Sequence, residues 1–373
     1  MLVKVPSFYK KFRCIAGRCS DTCCDGWKIL IDEETVKKYK GHKGELKGRF
    51  EKSLICKGKD AYFLLQGSRC PFLNDENECD IYINMGKEAL SSTCASFPRR
   101  ITVKGGRMQA CLSMSCPEAA GMLLKEKDGI KYQSYDDGAV YPEKLDNADV
   151  FINLVGDAFI NIIKNRDISL KKRIIMIIFA ADSIRRGYDN SFEECVELIE
   201  GLNAGTGIKE LEDLVSGAAG VENLEVRKQM LSDIMDIYAS LCSSRNHHSL
   251  SIELTDDYAG GVYNDIVSAD GVEQYVYQYE NYIEYFIFRH MQECRDSDDI
   301  FNMAVMMCVS YAVINAMDKM CIKKYGVLSM ENQVEIMHYY SKIIEHSKKD
   351  YDMMLEGIKR FGYDKISYMV VLI

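Results

Sequence analysis

Apolar positions follow one rhythm in the C-terminal two-thirds of this 373-residue chain and no regular rhythm before it. Met230, Ile234, Ile237 and Leu241 recur every three to four residues, the spacing that lines one buried face of a helix. The same period predicts helices near 172–186, 225–242, 272–293, 301–323 and 331–346. Two windows, IIMIIFAA at 174–181 and FNMAVMMCVSYAVINAM at 301–317, are apolar on nearly every side. The first is too short to cross a bilayer, and the second carries Asn302, Ser310 and Asn315 before meeting Asp318. Both read as core helices, and no membrane span is expected. GLNAGTG (201–207) and VSGAAG (215–220) read as helix stops. Residues 243–261, with adjacent His247 and His248, read as a polar linker between two helical units.

Proline and cysteine sharpen the division. All five prolines fall within the first 142 residues, and ten of the fifteen cysteines lie between Cys14 and Cys116. Because proline costs about 3 kcal/mol inside a helix, the proline-free remainder suits long helices. Charge divides as well: residues 1–120 hold 21 Lys and Arg against 14 Asp and Glu, whereas the rest hold 26 against 42, for a net charge of -9. A basic head on an acidic body implies two surfaces with different partners. Nucleic acid is disfavoured as one of them, since the balance is negative and no basic–aromatic element stands out.

The N-terminus MLVKVPSFYKKF has neither an apolar core of signal-peptide length nor a small-residue cleavage site, so a cytoplasmic location is expected. In a reducing compartment, clustered cysteines are metal ligands or redox groups more often than disulfides. An odd total of fifteen also rules out complete internal pairing. Cys14, Cys19, Cys23 and Cys24 open the series in CIAGRCSDTCCDGW, which ends on the only tryptophan; Cys70, Cys79, Cys94 and Cys116 continue it. Pro71 and Pro117 directly follow a cysteine, and Pro98 follows Cys94 by four residues, giving rigid turns suited to holding thiolates. Paired C-x2–4-C spacings of a zinc ribbon are not repeated here, and His42 has no histidine partner nearby. Scattered thiolates favour an iron–sulfur cluster, with a four-thiolate zinc site as the alternative. The expected fold is mainly α: an irregular, cysteine-rich, metal-binding N-terminal domain (1–125) followed by a helical body divided into 145–245 and 262–373.

Five ordered elements carry a family resemblance: CIAGRCSDTCCDGW, CPFL at 70–73, CDI at 79–81, TCASFPR at 93–99 and LSMSCPE at 112–118. The chain resembles the flagellin lysine-N-methylase family (FliB) in these, and more loosely in YENYIEYFIFRH at 279–290. Its first element is also similar to the wider group of putative zinc- or iron-chelating domains with a C-x2-CC start. The resemblance implies methyl transfer from S-adenosylmethionine to lysines of flagellin or the flagellar filament, with a [4Fe–4S] cluster in the N-terminal domain. Cys56 and Cys111 lie outside the elements, and one cluster needs only four of the other eight thiolates. The C-x3-C-x2-C spacing usual in radical S-adenosylmethionine enzymes is absent, because Cys24 follows Cys23 at once. Polar displacement by a deprotonated lysine is the simpler expectation.

The cofactor pocket has no motif: GLNAGTG follows a helix and lacks the G-x-G-x-x-G order. Arg99 and Arg100, with Lys104 and Arg107, form a basic patch suited to the cofactor carboxylate, although a solvated turn is the bland reading. Tyr275, Tyr279, Tyr282 and Phe286 share a helical face beside Glu280 and Glu284. Tyr279, Tyr282 and Glu284 are the candidate catalytic groups, lining a lysine entrance by cation–π attraction, against the commoner role of such stripes as core. The competing function is a non-catalytic metal-binding adaptor whose acidic helical body docks a protein.

Overall fold

Prolines and glycines interrupt the first third of the chain before a long helix can propagate. The computed structural model describes residues 2–136, 146–188, 190–220, 222–243, 249–261 and 265–373. In the first third it contains β1 (Leu2–Pro6), α1 (Glu33–Gly41), α2 (Lys47–Ser53), β2 (Leu54–Lys57), β3 (Asp60–Phe63), α3 (Asp80–Met85), α4 (Ser92–Ser96), β4 (Arg99–Lys104), β5 (Arg107–Leu112), α5 (Pro117–Leu124) and β6 (Tyr132–Asp136).

The expectation of an irregular region is corrected in part: residues 12–32 and 64–79, which carry Cys14 to Cys24, Cys70 and Cys79, have no strand and only one short 3-10 turn, but strands and helices surround them. Four strands form one sheet in the order β4-β5-β1-β6, and β2 and β3 make a separate ribbon. β4 and β5 close on Gly105 and Gly106, both at positive φ, as a two-residue hairpin turn requires. A Cβ on Gly105 would also strike the side chain of Asn153 and the backbone of Asp149. Alternation does not reveal β5, because it is buried along nearly its whole length. Its parallel partner β1 lies far away in sequence, Val3 standing opposite Met108.

Beyond it run α6 (Asn147–Lys164), α7 (Leu170–Gly187), α8 (Phe192–Ala204), α9 (Gly207–Ala219), α10 (Leu224–Ser243), α11 (Leu250–Ala259), α12 (Val276–His290), α13 (Ser297–Tyr325), α14 (Met330–Ile343), α15 (Lys348–Arg360) and α16 (Ile366–Leu372). The molecule is mainly helical, and each of the five helices expected from periodicity is present. Gly205 ends α8 in the left-handed conformation, whereas Gly217 of the second expected stop lies inside α9. The expected linker is corrected at Leu250–Ala259, a helix capped by Ser249 that buries Leu254; His247 and His248 lie outside the described residues. α13 is long and apolar enough to cross a membrane, yet 89% of its most apolar window is buried inside the protein. It is the central core helix, with α12 beside it buried from Gln278 to His290.

Buried side chains form two cores. The smaller holds Ile29, Ile31, Tyr39, Phe50, Phe63 and Phe72 among others. The larger takes in β1, β5, α5 and both helical units, so it crosses the expected boundaries at residue 125 and between the two units. The part built on the smaller core, about residues 14–96, is called the lobe below, and the helical remainder the body.

Candidate functional site

The lobe places its cysteines through a series of side-chain to backbone bonds. Asp32 caps α1 by accepting from Thr35 N (2.9 Å) and also accepts from Ser92 N (2.8 Å) at the start of α4. Although burial raises its pKa, these bonds hold Asp32 well below the usual carboxylate range. Ser91 caps α4 through Cys94 N (3.2 Å). Arg49 donates to Pro71 O (2.5 Å) and pairs with Asp80, clamping both ends of the loop between Cys70 and Cys79. Inside that loop, Asn74 Oδ1 accepts from Glu76 N (3.1 Å) and Glu78 N (2.8 Å), the local bonding that favours Asn in turns. Cys70 N donates to Cys24 O (2.7 Å), which ties the first cysteine segment to the second.

Cys70 lies within the smaller core, and Cys24, Cys79 and Cys94 pack against it. Burial, with a smaller contribution from the thiols of Cys23 and Cys79, raises Cys70 to about 12 and Cys94 to about 11. Cys23 and Cys24 share a hydrogen bond that lowers the pKa of Cys23 and raises that of Cys24. Cys19 feels Cys14 and Cys23, and Cys116 feels Cys19 and Cys23, so a second, outer group meets the first at Cys23. Amides are aimed at several sulfurs: Phe72 at Cys70, Ile81 and Tyr82 at Cys79, Glu118 and Ala119 at Cys116. Among the described residues, no three Cys, His, Asp or Glu side chains are grouped as a single metal ion would need. Cys56 is exposed on β2, and Cys111 is buried in the larger core.

The body reaches the cysteine segment through α14. Lys342, buried, donates to Asp21 Oδ2 at 2.5 Å, and His338 Nδ1 lies 3.8 Å from the same oxygen. Burial raises the Asp21 pKa, but Lys342 and His338 outweigh it and hold the carboxyl below its usual range. Burial lowers His338 to about 4. Trp27 Nε1 donates to Cys23 O (2.8 Å), and its ring meets His346 edge-on at 4.2 Å.

The expected lysine entrance is not an entrance in this structure. Tyr279 is 3%, Tyr282 1% and Glu284 0% exposed, because α12 is covered on every side and its aromatic stripe faces the core. Tyr279 donates to Asp318 (2.7 Å), and Tyr282 and Tyr285 donate to Glu345 (3.0 and 2.9 Å). Burial raises Glu284 and Asp318 each to about 7; Lys164, 3.4 Å from Glu284, only partly offsets this. Glu345 is held at about 2 despite burial by His290 and Arg289. Arg100 pairs with Glu293, Lys104 with Asp149, and Arg107 with Asp157, so these three fasten the sheet to the body. Arg99 instead lies over Phe12 (5.1 Å) and donates to Phe12 O (3.3 Å). Sequence reasoning missed Lys342, His338 and His346, which carry no local motif.

Comparison with known proteins follows these contours. The family model of the FliB lysine N-methylase C-terminal domain matches residues 156–372, from within α6 through α16. The chain is similar to the lysine-N-methylase of Salmonella typhimurium strain LT2, at 22% identity over 395 residues covering 93% of this chain and 92% of that protein. The lysine-N-methylase of Salmonella choleraesuis strain SC-B67 is similar to the same extent. The flagellar biosynthetic protein FliU of Salmonella muenchen is 32% identical over 142 residues, 34% of this chain and 80% of that protein. No solved structure matches the chain.

Proposed function

The chain belongs to the FliB lysine N-methylase family, and from that premise we propose that it is a protein-lysine N-methyltransferase acting on flagellin. In this reading S-adenosylmethionine is the methyl donor and a [4Fe–4S] cluster sits in the lobe. The observation that carries the reading is the extent of the likeness: relatives named lysine-N-methylase align through both lobe and body.

The donor set suits an iron–sulfur cluster. Thiolates around one tetrahedral zinc lie roughly 4 Å apart, given a Zn–S bond of about 2.3 Å, whereas a cubane spreads its ligands more widely. A loose ring of thiols with amides aimed at the sulfurs is the environment that iron–sulfur centres use, since such hydrogen bonds tune them. Cys24, Cys70, Cys79 and Cys94 border the smaller core and supply the four thiolates one cluster requires. Cys14, Cys19 and Cys116 form an outer group, and Cys23, which acts on Cys70, Cys79 and Cys94 as well as on Cys19 and Cys116, stands between the two.

When bound, the cofactor supplies a methyl group on a positively charged sulfur. The substrate lysine, with an ordinary pKa near 10.4, must first lose its proton. Burial raises the Glu284 carboxyl to about 7, but it is fully buried beside Lys164, so in this structure no substrate lysine reaches it. Tyr279 and Tyr282 act on Asp318 and Glu345, fixing those carboxylates by hydrogen bonds. Arg99 remains the cation suited to the cofactor carboxylate, since Arg100 is paired with Glu293.

The test incubates anaerobically purified protein with labelled S-adenosylmethionine and flagellin, as monomer and as filament, and maps modified lysines by mass spectrometry. Label on flagellin lysines is expected. Absence of label on both forms would favour the adaptor, and a colourless, zinc-containing protein would replace the cluster with a zinc site.

A further inference from the structure

The central helix α13 is apolar along most of its length, yet Tyr311, Asn315 and Lys319 interrupt it at intervals of four, a spacing that stacks them along one face. Ala312 and Ala316 run beside them and are too small to fill the space in front. A pocket of about 310 Å³, measured to its mouth, opens there between α13, α10, the turn at Ile266–Ser268 and the end of α16. Leu231, Ile266 and Leu372 give it apolar walls. At the lower end of the range for ligand pockets, it suits a small group rather than a nucleotide.

Two cations line this pocket. Arg227, on α10, donates from Nε to Leu372 O (3.0 Å) and from Nη2 to Ile373 O (3.2 Å), which leaves Nη1 without an acceptor among the described residues. Lys319 donates to Val267 O at 3.3 Å. Among the described residues no Asp or Glu side chain pairs with either; Glu222 acts on Arg227, and Asp270 and Glu273 on Lys319, only from a distance. Lys171 of α7 adds a third positive charge near Arg227. Burial lowers the pKa of all three, Arg227 repels both lysines, and the distant acids do not offset this. A carboxylate at the terminal Ile373 would neutralise one of the three charges and leave two. Elsewhere in the body buried cations meet carboxylates, as Arg173 meets Glu280 (2.7 Å) and Arg289 meets Glu345 (3.6 Å). Here positive charge is gathered around a cavity instead. Tyr311, set edge-on against Tyr279 at 5.6 Å, adds a hydroxyl to the same wall.

We propose that this pocket binds a small oxyanion, a carboxylate or phosphate group held between Arg227 and Lys319 with Tyr311 beside it. The planar guanidinium supplies a directed N–H donor and the ammonium a mobile point charge, the pairing that suits such groups. Apolar walls strengthen both by keeping water away. The bound group ties α10, α13 and α16 together and neutralises a repulsion that the fold otherwise carries. This site lies wholly in the body, and its assignment does not depend on the methyltransferase reading.

The test is calorimetric titration of the full chain with sodium acetate and with inorganic phosphate, each at constant ionic strength, with thermal melts in parallel. Saturable binding of at least one is expected, and the melting midpoint should rise by roughly 1–3 °C at tenfold the dissociation constant. Lys319→Met should weaken that binding about tenfold or more, and Lys319→Arg should restore it. In buffer free of both anions, Lys319→Met should melt no lower than the unaltered protein, because a repulsion has been removed. Ala312→Val narrows the pocket without touching a charge and should also lose the anion. If Lys319→Met fails to fold, Ala312→Val decides the matter. Binding of acetate alone would assign a carboxylate ligand, and binding of phosphate alone a phosphate-bearing one. Absence of saturable binding for both ions would overturn the site, as would equal binding in the folded Lys319→Met or Ala312→Val variant.

Discussion

The lobe and the body are stabilised in different ways. The lobe has twelve buried side chains in its own core, and its helices run to nine, seven, six and five residues. Helices of that length are unstable alone, and a core of that size rarely offsets the entropy of ordering the chain. Its aromatic stack, Tyr39 on Phe50 at 4.3 Å and Phe50 on Phe72 at 4.7 Å, gives it a fixed centre but little area. The body has helices of 18, 20 and 29 residues around one continuous apolar interior. The candidate chemistry therefore sits in the part least able to stand by itself. On the proposed reading, metal binding at the lobe's thiolates together with docking on the body supplies what its core does not.

Removing the proposed cluster should have the largest effect. Because metal-ligand energy becomes folding energy in small sites, chelation or oxidative loss of the cluster is expected to release the lobe while the body stays folded. Hydrogen exchange would show amides around Cys70, Cys79 and Cys94 losing protection, with those of α12 and α13 unchanged. Cys70→Ser should reproduce this without a chelator. Melting of the body in step with the lobe would mean that the two are one cooperative unit.

The attachment between them can be broken at one contact. Lys342→Met leaves Asp21 half-buried without its cation, and breaking such a pair costs about 3–5 kcal/mol when fully buried, so somewhat less is expected here. Chemical denaturation should report the loss, with exchange increasing first in residues 14–27. Pairing Lys342→Met with Asp21→Asn should recover most of it, since no unpaired charge then remains. Equal destabilisation in the single and double variants would assign the loss to packing instead.

This attachment also marks how far the sequence could be read. Helices of the body announce themselves by period, since a residue such as Met230 and its neighbours at three and four positions must share one face. Cysteine positions were equally visible, because thiolate chemistry depends on residue type before geometry. Asp21 and Lys342 were not, for their partnership spans 321 positions and neither has a local reason to be buried. Strand β5 was hidden by the same logic, its alternation erased by burial on both faces. Tyr279 and Tyr282 illustrate the reverse case, a helical stripe that suggests a binding face but turns inward because α12 is surrounded.

A smaller effect separates the body by its response to pH. Asp318 is held at about 7 in the folded protein, against 3.8 ordinarily, by burial that its bond from Tyr279 only partly offsets. The folded state thus holds this proton more tightly than the unfolded chain. Its contribution is complete below about pH 4, falls as pH rises through 7, and stays lost above that. Asp318→Asn keeps an acceptor for Tyr279 and cannot titrate. Its stability relative to the unaltered protein should therefore rise between pH 4 and pH 8, by up to about 2–4 kcal/mol given 1.36 kcal/mol per pKa unit. Thermal melts across that range would show it, and a constant difference would exclude Asp318 as the source.

The smallest effect tests whether the lobe's cysteines are equivalent. Cys56 is exposed on the β2–β3 ribbon, opposite Ala61 and outside the group around the smaller core. Cys56→Ser should leave stability within about 0.5 kcal/mol, as for other exposed substitutions, and leave iron and sulfide content unchanged. Cys24→Ser, on the segment bonded to Cys70, should lower both. Loss of iron in Cys56→Ser would extend the ligand group to the ribbon and remove the distinction between inner and outer cysteines. Retention in Cys56→Ser with loss in Cys24→Ser would show that position against the smaller core, rather than cysteine count, decides which thiols hold the cluster.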